Sequence, residues 1–143
     1  MAITRRLMCL FGWLGLGLFA QESDPRLEKL SQFFKGLPAR HHSLDMLAAA
    51  DKHNLDWRLL PAICFVETTG GKFVFRANNW FGWNSGRTSF RSVPAAIEHV
   101  AKTLAEGSIY RGKSLWQKLH LYNSARQYPY KVLRAMSTIA STV

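Results

Sequence analysis

Residues 59–71 read LLPAICFVETTGG, and this run decides how the chain folds. Its large apolar residues recur at intervals of three and four, which predicts a helix with one face turned inward. The two glycines that close the run end the helix, because a left-handed backbone conformation is favoured there. The helix is predicted to run from Trp57 to about Thr69, with Asp56 as its cap. Pro61 lacks an N–H just after the free first turn, so a kink or a later start is expected.

Glu67 follows the apolar run directly and stands beside the glycine turn, where a ligand can approach the chain. Apolar neighbours and the partial negative charge of the helix C-terminus both disfavour an ionised carboxyl, so the pKa of Glu67 is predicted to be raised. A carboxylic acid that stays protonated near neutral pH can act as the general acid in glycosidic bond cleavage. The alternative, from the residues alone, is an ordinary solvated glutamate at a helix end.

The segment from Phe73 to Phe90 has no sustained period and is predicted to be an ordered loop, with which a short hairpin is also compatible. Its centre, residues 78–84, reads NNWFGWN and combines amides with aromatic rings. Tryptophan rings can stack on the C–H faces of sugars, and asparagine offers both a donor and an acceptor. A structural turn with buried aromatics is the alternative. Nucleic-acid stacking is less favoured, because no Lys or Arg lies between Arg76 and Arg87.

The rest of the chain reads as helices separated by turns, so we predict an all-α fold of about six helices in a single domain. Asp24, Ser92 and Ser114 are the predicted helix caps besides Asp56. The apolar stripe of the second helix is expected to contain Leu44, Leu47 and Ala48, and that of the fifth to contain Leu115, Leu119 and Leu121. The helices are expected at about 24–36, 43–53, 57–69, 92–107, 114–121 and 130–140.

The N-terminus has the pattern of a secretory signal peptide. Arg5 and Arg6 precede the apolar run Leu7–Ala20, and a polar segment comes after it. The run is shorter than the roughly 20 residues that span a bilayer comfortably. We therefore expect residues 1–20 to be removed on export, which leaves residues 21–143 as the catalytic domain. An uncleaved membrane anchor is the alternative.

Charge and cysteine content bear on the partner and the chemistry. The formal net charge of +10 favours an anionic partner, whether nucleic acid, anionic lipid or bacterial cell wall, and the leader argues against a nucleic-acid-binding protein. Cys9 lies in the leader, so Cys64 has no partner for an internal disulfide and is expected to be buried and inert. No metal or other cofactor is expected, because the adjacent His41 and His42 point apart on a helix and Asp45 is the only acid near them.

Four short motifs succeed one another along the chain in an order that resembles a known family. They are ETTGGK at 67–72, NNWFG at 78–82, SVPAAI at 92–97 and Tyr122-Asn123. They are similar, in this order, to the Glu-Ser-x-x-Gly-Lys, Asn-Asn-x-Phe-Gly, Ser-x-x-x-Ala-Ile and Tyr-Asn elements of lytic transglycosylases and bacterial autolysin glucosaminidases. The resemblance covers about residues 44–139 and implies a lysozyme-like domain with an active-site cleft.

The resemblance also implies an activity and a site. It implies an exported enzyme of the periplasm or cell wall that cuts the glycan strands of peptidoglycan, with Glu67 as the catalytic acid. The glycan strand is the expected partner; neither nucleic-acid binding nor membrane insertion after leader removal is expected, and protein partners stay open. The implied substrate contacts come from Thr68, Asn78, Asn79, Trp80, Phe81, Trp83 and Tyr122.

A second catalytic carboxylate is hard to find, because no Asp follows Asp56 and only Glu98 and Glu106 remain as later acids. Glu98 is the better candidate, since it falls close to the apolar stripe of its helix. Lone-acid chemistry favours a lytic transglycosylase that cuts the β-1,4 bond between N-acetylmuramic acid and N-acetylglucosamine, with the sugar's own 6-hydroxyl as nucleophile. An endo-β-N-acetylglucosaminidase or muramidase hydrolase stays open, because Ser124-Ala125 departs from the Ala-Gly that follows Tyr-Asn in transglycosylases. A non-catalytic peptidoglycan-binding domain on the same scaffold is a further alternative.

Overall fold

The computed structural model describes residues 24–143, which form six α-helices, one short 3-10 helix and no β-strand. The all-α fold class is therefore confirmed, and the 73–90 loop contains no hairpin. The predicted signal peptide lies outside the described residues. Between residues 24 and 143, no helix combines the length and the apolar character needed to cross a bilayer. The elements are α1 (Pro25–Phe33), the 3-10 helix (Pro38–His42), α2 (Ser43–Lys52), α3 (Leu59–Thr68), α4 (Val93–Glu106), α5 (Leu115–Tyr122) and α6 (Tyr128–Ser141).

Three helices begin at side chains that satisfy free N–H groups of the first turn. Asp24, Ser92 and Ser114 each accept a hydrogen bond from a backbone N–H two or three residues further on. At Ser114 the cap is reciprocal, because the Gln117 side chain accepts a hydrogen bond from the Ser114 N–H. The three predicted caps are confirmed.

The helix α3 begins at Leu59, two residues later than its predicted start. Asp56 closes the preceding turn instead, where its carboxylate accepts a hydrogen bond from the Arg58 N–H at 2.9 Å. With this start, Pro61 falls in the first turn, whose N–H groups have no acceptor inside the helix, so the missing N–H is harmless. Thr69 adopts a left-handed φ of 53° and ends the helix one residue before the glycine pair.

The helix α3 packs against α6 and α2. The helix α2 in turn contacts α1 and α4. Every residue from Leu59 to Cys64 is buried. Full burial of a large apolar side chain stabilises a fold by about 1.5–3 kcal/mol, so this run fixes the position of the last turn of α3 and of Glu67 within it. Burial also raises the pKa of the Cys64 thiol to about 12, which fits the inert thiol expected there.

The predicted apolar stripe of α2 is wrong in part. Leu44 is 63% exposed and Ala48 is also exposed, whereas Met46, Leu47 and Ala50 are buried. The side of α2 that carries these buried residues is the one that faces the core. Leu44 is left on the solvent side.

Two further details differ at the C-terminal end of the chain. Leu121 is 45% exposed, because it lies two positions from Leu119, the buried residue of α5, and residues two apart do not share a helix face. The helix α6 begins at Tyr128 rather than Tyr130. Pro129 suits this start, since proline is well tolerated in the first turn of a helix.

Candidate active-site cleft

A cleft of about 460 Å³ opens between the C-terminal end of α3, the 73–90 loop and the end of α5. Its volume lies within the range of small-molecule sites. Glu67 and Thr68 enter the cleft from α3, and Tyr122 enters it from α5. Among the described residues that line it, Glu67 is the only carboxylic acid and Arg76 is the only lysine or arginine.

Glu67 is half-buried, and burial raises the pKa of its carboxyl because the ionised form is poorly solvated there. No ion pair in residues 24–143 involves Glu67. The last turn of α3 adds partial negative charge from its carbonyl groups. The predicted upward shift of the Glu67 pKa is therefore confirmed. On the loop side, the backbone of Gly82 lies against the carboxyl and leaves no room for a side chain.

Two tyrosine rings stack beside Glu67: the centroids of Tyr122 and Tyr128 lie 6.0 Å apart and their planes differ by 6°. The Tyr122 hydroxyl donates a hydrogen bond to the Phe81 carbonyl at 2.6 Å, which ties α5 to the loop. The Tyr128 hydroxyl is buried without a well-formed hydrogen bond to the described residues. It lies close enough to Glu67 to lower the pKa of that carboxyl, against the larger effect of burial. Burial raises the pKa of both tyrosines, so both hydroxyls keep their protons.

The two asparagines predicted to bind substrate hold the loop in shape. Asn79 is buried and lines the cleft, but its Oδ1 accepts a hydrogen bond from the Trp83 N–H at 2.8 Å and its Nδ2 donates to the Trp83 and Thr88 carbonyls. Asn78 has a left-handed φ of 58°, and its Nδ2 donates to the Phe90 carbonyl at 2.8 Å. The amide groups of both residues are therefore engaged with the loop backbone.

Thr68 and Trp80 join the end of α3 to the loop. The buried Thr68 hydroxyl donates to the Trp80 carbonyl at 2.8 Å and accepts from the Gly71 N–H at 3.0 Å. The Trp80 ring lies over Gly71, where a Cβ would come within 2.7 Å of the ring, and it makes a T-shaped contact with His42 at a centroid distance of 5.3 Å. Trp80 is thus packed on the protein and does not line the cleft.

Phe81 requires a correction. Its side chain is 0% exposed and belongs to the hydrophobic core, so it cannot stack on a sugar. Sequence alone does not separate its orientation from that of its neighbours, because the loop has no regular period.

Trp83 is half-buried between two rings, with centroids 5.0 Å from His99 and 5.6 Å from Tyr122. Its free side lines an adjoining pocket of about 500 Å³ that it shares with Tyr122 and Tyr110. Tyr122 is one of four residues that line both this pocket and the cleft, so the two adjoin. Trp83 therefore reaches solvent next to the cleft rather than in it.

Glu98, the candidate second acid, lies on the exposed surface of α4. Its carboxylate pairs with Lys52 Nζ at 2.6 Å and with His53 Nε2 at 3.0 Å. These two partners hold the pKa of Glu98 below its ordinary value, Lys52 contributing most. Glu98 lines a separate groove with Asp45 and Lys52, and it is not among the residues that line the cleft.

Three residues at the site carry no signal in the sequence that would place them there. Tyr128 comes to Glu67 through the packing of α6 on α3, which local periodicity does not report. Phe75 is 96% exposed on the rim of the cleft, and Arg76 is next to it in the chain. A side chain in a loop without a period points inward or outward according to tertiary structure, so the sequence places neither Phe75 nor Arg76 at the cleft.

Of the predicted site residues, the cleft brings together four: Glu67, Thr68, Asn79 and Tyr122.

Comparison of the chain with models of protein families, with curated proteins and with solved structures found no match.

Proposed function

We propose that the protein is an exported lytic transglycosylase of the lysozyme-like kind, which cuts the glycan strands of peptidoglycan with Glu67 as its only acid and base. One observation carries the proposal: Glu67 is the single carboxylic acid among the described residues lining the cleft, and burial favours its protonated form. A protonated carboxylic acid is what the departure of a sugar oxygen requires.

In the first step, Glu67 donates its proton to the oxygen that bridges N-acetylmuramic acid and N-acetylglucosamine, and that glycosidic bond breaks. The acetamido group of the muramic acid residue stabilises the cation that develops, so no protein nucleophile is needed. Glu67, now ionised, removes the proton of the 6-hydroxyl of the same residue, whose oxygen bonds to the anomeric carbon. The acid is thereby reprotonated, and the product carries a 1,6-anhydro ring.

The neighbours of Glu67 support this cycle. The Tyr128 hydroxyl keeps its proton and lies beside the carboxyl, so it can stabilise the ionised form that exists between the two steps. Burial favours the protonated form of the Glu67 carboxyl, and the Tyr128 hydroxyl favours the ionised form. A hydrolase is less well supported, since activation of water normally needs a second carboxylate, and Glu98 is engaged with Lys52 and His53 outside the cleft.

Substitution of Glu67 tests the proposal. Glu67→Gln keeps the size of the side chain but cannot donate the proton, so release of soluble fragments from purified peptidoglycan should fall by about 10²–10⁴-fold. Glu28→Gln is the matched control, because Glu28 is exposed on α1 and does not line the cleft; it should leave the rate unchanged. A loss of less than about tenfold for Glu67→Gln would move the acid elsewhere. A protein that binds peptidoglycan but releases nothing would be a non-catalytic binding domain.

A further inference from the structure

A second depression leaves Glu67 on the side away from the 73–90 loop. It has a volume of about 350 Å³ and runs from Glu67 and Tyr128 to Arg126, Gln127 and Lys131. Those last three residues also line a neighbouring depression of about 500 Å³, which continues along α6 to Tyr130 and Arg134. Since the two depressions share three lining residues, they form one groove that starts at the Glu67 carboxyl and runs along the first turns of α6.

The groove is strongly basic. Arg126, Lys131 and Arg134 line it, all three are exposed, and none forms an ion pair with any residue in 24–143. Glu67 is the only acid among the residues that line it, and no Asp or Glu follows Glu106 in the sequence. The first turn of α6 has no acidic side chain that would offset the partial positive charge of the helix N-terminus. That partial charge therefore adds to the charge of the three cations.

Most other described lysines and arginines also form no ion pair, so it is their clustering that sets the groove apart. The cleft is lined by one cation, Arg76, and the depression at Glu98 by one, Lys52, whereas three line the groove along α6. Three uncompensated charges in a single depression form a site for a group that carries several negative charges. Because the groove begins at Glu67, an anionic group attached to the cleaved molecule close to the breaking bond can reach it.

We infer that this basic groove binds the carboxylates of the stem peptide that substitutes the muramic acid residue, and that it makes the enzyme selective for peptide-bearing glycan strands. The inference rests on the proposed function. Stem peptides branch from the same sugar whose bond is broken, and they carry several carboxylates within a short length. Tyr130, which is 62% exposed in the groove, provides an apolar surface for their methyl-bearing residues.

The test compares two forms of one substrate: glycan strands with intact stem peptides, and the same strands after an amidase has removed the peptides. The wild-type protein should cleave the intact strands faster at low substrate concentration. Solvent-exposed ion pairs contribute modestly, so each lost cation should reduce that preference by up to about fivefold. The triple variant Arg126→Gln, Lys131→Gln, Arg134→Gln should lose about tenfold or more of the preference and keep its rate on peptide-free strands.

A charge-matched control separates the groove from the overall positive charge. Lys35, Lys102 and Lys113 are exposed and line neither the cleft nor the basic groove, so their joint replacement by Gln removes the same charge elsewhere. This variant should retain the preference for intact strands. Both triple variants are expected to fold, since all six side chains are exposed. Thermal unfolding of each variant checks this.

Each result of this comparison has a distinct meaning. Equal cleavage of the two substrates by the wild-type protein, or equal loss of preference in both triple variants, overturns the inference while the proposed function stands. Cleavage of neither substrate overturns the proposed function and the inference with it. Binding of soluble stem-peptide fragments to Glu67→Gln provides a readout without catalysis. The triple substitution of Arg126, Lys131 and Arg134 should weaken this binding. If it instead weakens the binding of a phosphate-rich cell-wall polymer and leaves the binding of the fragments unchanged, the groove binds that polymer and the inference is wrong.

Discussion

Gly82 lies so close to Glu67 that a Cβ on it would come within 2.1 Å of the carboxylate oxygen Oε2 and 2.7 Å of Cδ. Its φ of 59° is left-handed. Glycine is therefore favoured at this position for two reasons, the positive φ and the lack of space for a side chain beside the Glu67 carboxyl. The loop backbone thereby forms one wall around the carboxyl, and it contributes to the burial that raises the pKa of Glu67.

Gly82→Ala should lower the rate of peptidoglycan cleavage by about tenfold or more, because the added methyl must displace the carboxyl or the loop, and small misplacements of a catalytic group are costly. Gly112 provides the matched control: it does not line the cleft, its φ is 73°, and a Cβ there meets no atom within 4 Å. Both alanines should destabilise the fold by about 1–2 kcal/mol through their backbone conformation. Equal losses of activity in the two variants, measured per folded molecule, would show that contact with Glu67 is not the cause.

Glu67→Gln is expected to increase the free energy of unfolding at pH 7 and to leave it nearly unchanged at about pH 3, below the ordinary pKa of a glutamate. The folded-state pKa of Glu67 lies above its unfolded value, so the folded protein holds this proton more tightly. Stability therefore falls as the pH rises from the unfolded pKa through the folded one, and glutamine does not suffer this loss. Urea unfolding of both proteins at several pH values measures the difference between their free energies of unfolding. A difference that is the same at pH 3 and at pH 7 would contradict a raised pKa of Glu67.

Phe75→Ala and Trp83→Ala should separate binding from folding. Phe75 is 96% exposed at the rim of the cleft, so its removal should raise KM by about two- to tenfold without changing the melting temperature. Trp83 packs against His99 and Tyr122, so its removal should lower stability by about 2 kcal/mol or more. If instead Trp83→Ala weakens binding at unchanged stability and Phe75→Ala does nothing, Trp83 is the sugar-stacking ring that the loop sequence suggested.

The end of α3 could be predicted because its determinants are local. An apolar run with a helical period and two glycines specify where the helix stops, and Glu67 is then fixed at the last turn whatever else the chain does. The caps at Asp24, Ser92 and Ser114 are local for the same reason. The start of α3 lies two residues later than predicted, because Asp56 can cap either a turn or a helix and the sequence does not distinguish the two.

The surroundings of Glu67 could not be predicted because they are assembled from distant parts of the chain. Tyr128 reaches the carboxyl through helix packing, and its own helix starts two residues earlier than expected. Within the loop, Phe81 faces the core and Phe75 faces solvent, although both are phenylalanines of the same irregular segment. Side-chain direction in a loop without a period depends on the backbone, which the asparagine hydrogen bonds set.

Glu98→Gln should leave the cleavage rate within about twofold of the wild-type rate, since its carboxylate faces Lys52 and His53 and not the cleft. The change should reduce the free energy of unfolding by about 1 kcal/mol, because the Lys52 ion pair is exposed to solvent and the glutamine oxygen can still accept a hydrogen bond from the buried His53 ring. The paired measurements are initial rates on purified peptidoglycan and urea unfolding. A loss of activity comparable to that of Glu67→Gln would add a second carboxylate to the proposed mechanism and favour hydrolysis.

The most direct test of the lone-acid mechanism is mass spectrometry of the fragments that the protein releases from purified peptidoglycan in isotope-labelled water. If Glu67 acts alone and the 6-hydroxyl is the nucleophile, the fragments will end in 1,6-anhydro-N-acetylmuramic acid, lighter by one water than the hydrolysed sugar and free of the label, and Glu67→Gln will yield none. Fragments with a reducing end that has taken up labelled oxygen, or fragments that Glu67→Gln releases equally well, would contradict it.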